Sequence, residues 1–128
     1  MGAFLEFQTK KSLAVFTEDM AGALKDQGFG VLWSLDFKDK LKQKGHDLEK
    51  QVVVFEICNP QLGKQVMETN FRAAYMLPCK VSVIVEEDHL NVGFIKPTAL
   101  ISLLGDESLE KESVAVEHMI ESAVKQAL

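Results

Sequence analysis

The stretch Cys79–Ile95, CKVSVIVEEDHLNVGFI, decides the fold of this chain. It reads as two strands, Cys79 to Glu86 and His89 to Ile95, turning at Glu87-Asp88. Strands joined by so short a link run antiparallel, because a parallel return needs a crossover of a dozen residues or more. Strand pairs of this kind with helices set between them argue α+β rather than a parallel α/β sheet.

Upstream, Pro78 closes an irregular stretch and Gln51 to Cys58 is β-branched and aromatic, which predicts a further strand. Asn59-Pro60 follows as a helix start: Asn caps orphan amides, and Pro at the first helical position loses no needed donor. The helix through Met67 is expected to be short, since Gly63 costs about 1 kcal/mol against Ala. Earlier still, Phe29, Val31, Trp33, Leu35 and Phe37 alternate with Gly30, Ser34 and Asp36. That spacing predicts a strand with one large apolar face, and hence a covered sheet. Ser12 opens a helix with apolar positions Leu13, Phe16, Met20, Ala23 and Leu24 at helical spacing, and Gly28 ends it at the position where positive φ is cheap. Ala3 to Gln8 is consistent with a first strand.

Downstream, Pro97 opens a short helical segment to Leu104, and Gly105 ends it. Asp106 or Ser108 caps a long helix to about Gln126, with Leu109, Val116, Met119, Ile120, Ala123 and Val124 as its buried stripe. The expected architecture is a single α+β domain over residues 1–128: an antiparallel sheet of about five strands with helices packed on one face. Its order is β-α-β-β-(short α)-β-β-(short α)-α. The first and last helices cover the apolar face, and the other face carries Ser34, Ser82 and similar residues.

At 128 residues the chain can bury roughly two-thirds of its unfolded surface in one core. Its 47% hydrophobic and 26% charged content is that of an ordinary globular protein. A net charge of -5 and a pI near 5.2 argue against a nucleic-acid-binding surface, which would show a basic excess. Five lysines fall between Lys38 and Lys50, but Asp36, Asp39, Asp47 and Glu49 nearly cancel them, so the run reads as a solvated loop or short helix. Gly2-Ala3-Phe4-Leu5-Glu6 lacks the basic n-region of a signal peptide, and Phe7 stands where a myristoylation signal wants Ser or Thr. No apolar run approaches the roughly 20 residues of a membrane span. The expected location is the cytoplasm, where two cysteines are free thiols by default.

Those cysteines sit in the two most distinctive segments, Ile57-Cys58-Asn59-Pro60 and Leu77-Pro78-Cys79-Lys80. Cys58 ends a strand just before a helix N-terminus, where the dipole and unpaired amides favour an anion and lower a thiol pKa. Lys80 would act in the same direction if near. If the two strands are antiparallel neighbours, both thiols lie at one end of the sheet. Such a pair could serve redox or soft-metal chemistry. Equally, cysteines behave as small, frequently buried hydrophobes, and CxxC spacing is missing. His46, His89 and His118 are scattered over a loop, a turn and a helix with no zinc-module spacing, so no metal site is expected. Nucleophile elbow, Walker loop and dinucleotide fingerprint are absent. Glu86-Glu87-Asp88 and the acidic face Glu110, Glu117, Glu121 read as solvated surface, and nothing names a cofactor.

Taken together, these motifs resemble the domain of unknown function 302 family over nearly the whole chain. The carriers are Gly28-Phe29-Gly30-Val31-Leu32 with Asp36, Leu41 with Lys44-Gly45, the two cysteine segments, and Pro97 after the last strand. The resemblance implies a TATA-binding-protein-like α+β fold with a tendency to form homodimers. It also implies that Cys58, Asn59, Pro60, Pro78 and Cys79 stand at signature positions. It brings no activity, and fold alone does not carry the nucleic-acid role of the fold's namesake to an acidic chain.

Three readings follow. The first is a non-enzymatic homodimeric module that binds a small-molecule ligand or partner, with no nucleic acid and no membrane. Its candidate site is Cys58, Asn59, Pro78, Cys79 and Lys80. The second is a thiol-dependent redox or soft-metal-handling protein using Cys58 and Cys79. The third, a purely structural subunit, predicts no concave pocket with converging polar groups near Asn59.

Overall fold

In the computed structural model, which describes residues 2–128, one five-stranded antiparallel sheet is backed by helices. The strands are β1 (Phe4–Thr9), β2 (Gly30–Asp36), β3 (Val52–Cys58), β4 (Cys79–Val85) and β5 (Leu90–Ile95). The helices are α1 (Leu13–Asp26), α2 (Phe37–Gln43), α3 (Pro60–Thr69), α4 (Pro97–Ser102) and α5 (Glu110–Ala127), with 3-10 turns at Phe71–Tyr75 and Glu107–Leu109. The sheet order is β1-β5-β4-β3-β2, so the chain lays β2 to β5 side by side and β1 closes against β5. The expected α+β arrangement is the one found, and the lysine-rich run supplies an extra short helix, α2.

Alternation along the central strands places their larger apolar side chains on the helix side. Val53, Phe55 and Ile57 of β3, Val81 and Val83 of β4, and Leu90, Val92 and Phe94 of β5 are all buried. They meet Phe16, Met20 and Leu24 of α1 and Ile120 and Val124 of α5 in the main core. Each such side chain, fully buried, contributes about 1.5–3 kcal/mol. A second, smaller cluster of Val66, Ala73, Ile101 and Leu109 fills the space between α3, α4 and the start of α5. The seam between these two clusters is where the cavities described below open.

The ends of α1 and α3 follow the sequence signals, but the start of α5 does not. Asp106 accepts the Ser108 N–H and opens the 3-10 turn, so the long helix begins only at Glu110, after Leu109 and without a side-chain cap. The Ser12 hydroxyl accepts the Val15 N–H at the start of α1. At its end the Gly28 N–H donates to the Lys25 carbonyl and the Phe29 N–H to the Leu24 carbonyl, with Gly28 at φ +83°. That is the paired-carbonyl termination a left-handed glycine permits. The C-terminus of α5 is tied back to β1 and α1 by Thr9 Oγ1, which donates to the Leu128 carbonyl, and by Lys11 Nζ, which donates to the Ala127 carbonyl.

The second strand departs from expectation in two ways. Its register shifts between Val31 and Trp33, so Val31 faces Ile57 while Trp33 faces Glu56 and Leu35 faces Val54. Residues directly opposite one another point to the same side of a sheet, so the irregularity at Leu32 divides the predicted apolar face. Val31 keeps to the helix side, whereas Trp33 and Leu35 turn to the open side. Ser34, expected on the open side, is opposite Phe55 on the helix side. Moreover β2 is an edge strand, and Leu32 and Trp33 are 61% and 53% exposed rather than covered. The strand also stops at Asp36, whose carboxylate accepts the Asp39 N–H and so starts α2 at Phe37.

Candidate functional site

β3 and β4 are antiparallel neighbours with Ile57 opposite Cys79. Cys58, at the end of one, and Cys79, at the start of the other, therefore occupy the same end of the sheet. Both are free and partly buried. Together with Asn59 and Pro78 they line a cavity of about 260 Å³. One wall is α3, through Leu62, Gly63, Val66 and Met67; Phe29, Leu32 and Val116 contribute to the rest.

Local chemistry builds this cavity. Asn59 caps α3 through Oδ1, which accepts the Leu62 N–H at 3.2 Å, while Pro60 occupies the first helical position. The other end of the same amide, Nδ2, donates to the Gln27 carbonyl at 3.3 Å and so joins the end of α1 to the start of α3. Gly28 makes room for it: a Cβ there would lie 3.0 Å from Asn59 Nδ2. The Gly-Phe-Gly and Cys-Asn-Pro segments are thus one structural joint. On the helix, Gly63 keeps the floor open, since a Cβ there would stand 3.6 Å from Cys58 Sγ.

The result is an apolar cavity rather than a polar one. Both polar ends of Asn59 are engaged by backbone groups. The Cys79 thiol is pushed up to about 11, first by burial and then by the neighbouring Cys58. Desolvation penalises the thiolate, so Cys79 is a neutral, apolar-like wall group at physiological pH. Lys80 does not relieve it: by register it points to the open side of the sheet, opposite Glu56. Pro78 lines the same cavity, at the end of the cis Leu77–Pro78 bond.

The histidines lie elsewhere. His46 and His118 are exposed, and His89 pairs with Asp88 at 2.7 Å in the hairpin turn, holding the Asp88 carboxyl below its usual range. Among the described residues no group of three His, Cys, Asp or Glu side chains is placed to hold a metal ion. No helix among the described residues is long and apolar enough to cross a membrane. Sequence reasoning located the rim of the cavity but not its floor. Leu62 and Val66, four apart on α3 with Gly63 between them, were the available signal.

A comparison with curated proteins finds no match. Among solved structures, the chain is similar to the crystal structure of an uncharacterized conserved protein DUF302 from Bacillus stearothermophilus. The two share 30% identity, with 98% of each chain covered and a TM-score of 0.93. The model of the domain of unknown function DUF302 matches residues 5–127. Match, coverage and topology agree, and the chain belongs to the DUF302 family.

Proposed function

We propose that this protein is a non-enzymatic, homodimeric, cytoplasmic module that takes a small apolar ligand in the cavity between α3 and the Cys58/Cys79 end of the sheet. The observation that carries the reading is the cavity itself. It is concave, about 260 Å³, walled almost entirely by apolar groups, and its one amide is already hydrogen-bonded to backbone. Sites of this kind bind by burying ligand surface, with orientation set by a few polar groups at the rim. A thiol held neutral at Cys79 counts against thiolate redox or soft-metal work, which needs the ionised form. The acidic net charge counts against nucleic acid as the partner.

A second copy of the chain seats on the open face of the sheet. Phe4, Trp33, Ile84 and Ile95 are exposed large apolar residues, and all four lie on that side by register. Sedimentation equilibrium of the wild type and of Trp33→Glu tests this: a dimer weakened by the substitution supports it, and a monomeric wild type removes it. For the ligand, native mass spectrometry of protein purified from its own host should show a co-purifying small molecule. Gly63→Leu, which fills the cavity from α3, should lose it. A wild type that carries no adduct and shows no thermal shift with any apolar compound would sink the reading.

A further inference from the structure

The cavity at α3 has neighbours beyond the cysteines. A small cavity of about 30 Å³ shares Val66, Leu77, Cys79 and Val116 with it. A wider cavity of about 490 Å³ then shares Met76, Leu77, Cys79 and Leu100 with the small one. The wide cavity opens where two strands separate. The β4–β5 ladder ends at Ser82 opposite Gly93, although β4 stays paired with β3 as far as Cys79 and β5 with β1 as far as Ile95. Core residues Phe94 and Ile120 and open-face residues Lys80 and Glu56 all border the gap. It therefore reaches from the hydrophobic core to the open side of the sheet.

The polar groups along this route are one-sided. Apart from the weakly donating thiols of Cys58 and Cys79, the described side chains at the α3 end offer no free hydrogen-bonding group, because Asn59 is engaged at both ends. The far end holds the Tyr75 hydroxyl, on a side chain 84% exposed, and Lys80. Among the described residues no carboxylate oxygen lies within ion-pair distance of Lys80 Nζ. The space between the two larger cavities is only about 30 Å³, which favours a slender chain over a ring system. Glu56, the cross-strand neighbour of Lys80, repels any anionic head group and a doubly charged one about twice as strongly, which favours a single carboxylate over a dianion.

We propose that the three cavities form one path for a single straight-chain monocarboxylate, its alkyl tail in the α3 cavity and its carboxylate beside Lys80 and Tyr75. This rests on the α3 cavity being a ligand site and adds the class and direction of the ligand. Stripped of lipid, the full-length protein is titrated calorimetrically with n-alkanoates from hexanoate to palmitate, with the matching n-alkanols, and with Lys80→Gln and Gly63→Leu variants. Affinity should rise about threefold to fourfold per added methylene until the path is filled. Lys80→Gln should weaken alkanoates about threefold to fivefold at low salt and leave alkanols unchanged. Gly63→Leu should shorten the longest chain that still gains affinity. If short alkanols bind in a Gly63-dependent way but affinity levels off within the α3 cavity, or Lys80→Gln treats both series alike, the path is wrong and the cavity reading stands. If no chain of either series binds, the path falls, while the cavity reading is decided separately by whether the purified protein carries a small-molecule adduct that Gly63→Leu abolishes.

Discussion

The joint between Gly28 and Asn59 offers a quantitative test of how the site is built. Asn59→Ala removes two bonds at once. The helix cap on Leu62 is worth about 1 kcal/mol. The bond to the Gln27 carbonyl, long at 3.3 Å, contributes nearer to 0.5 kcal/mol. A loss of about 1.5 kcal/mol is expected, which at an unfolding entropy of about 2.1 cal/mol/K per residue lowers Tm by about 6 °C for a chain of 128 residues. Asn59→Ser keeps an acceptor for the cap and removes only the donor, so its cost should be about 0.5 kcal/mol. Gly28→Ala carries two separate penalties. Its φ of +83° costs an L-residue about 1–2 kcal/mol, and its new Cβ presses on Asn59 Nδ2 at 3.0 Å. Placed in the Asn59→Ser background, the same substitution meets no amide and retains only the φ penalty. The double variant should therefore be more stable than the sum of the singles by more than about 0.5 kcal/mol, read as urea midpoints at constant m. Additive effects, or an Asn59→Ser variant as damaged as Asn59→Ala, would refute this account of the joint.

Gly63→Ala should stabilise the fold by about 0.5–1 kcal/mol, because it removes a helix-interior glycine and its Cβ meets Cys58 Sγ at an ordinary 3.6 Å; thermal melts showing a lower Tm would contradict it. Gly93→Val should destabilise by about 1–3 kcal/mol, since a Cβ there lies 3.2 Å from the Leu5 carbonyl oxygen in the β1–β5 ladder, where backbone cannot yield; an unchanged denaturation midpoint would remove that constraint. Cys79 links stability to pH. Its thiol ionises near 9.0 when unfolded and near 11 when folded, so the unfolded chain holds fewer protons between those values. The stability this carries is whole below pH 9 and is lost as pH rises through about 11. Wild type should lose more stability over that window than Cys79→Ala, and parallel curves in urea titrations at several pH values would show that the thiol is not desolvated.

Much of the fold was legible because it is governed by near neighbours. A hairpin link too short for a crossover, Ser12 and Asn59 as caps, Pro60 and Pro97 at helix starts, and Gly28 at a left-handed helix end are each decided within a few residues. The same locality placed both cysteines at strand boundaries, and the strand order then put them at one end of the sheet. Phe29 to Phe37 shows where this stops. Alternation alone cannot reveal a register shift at Leu32, nor that β2 is an edge strand, because both depend on which strand lies alongside it.

The amino-acid sequence by itself determined the fold class, most helix ends, the family signature and the residues at the rim of the α3 cavity. Tertiary structure alone decided how those residues are arranged. It joined Gly28 to Asn59, turned Lys80 away from the thiols, raised the Cys79 pKa by burial, and opened cavities along the seam of two hydrophobic clusters. The physical reason is common to all of these. Desolvation, strand register and empty volume arise from groups distant in the chain but close in space, and a linear pattern carries no term for them.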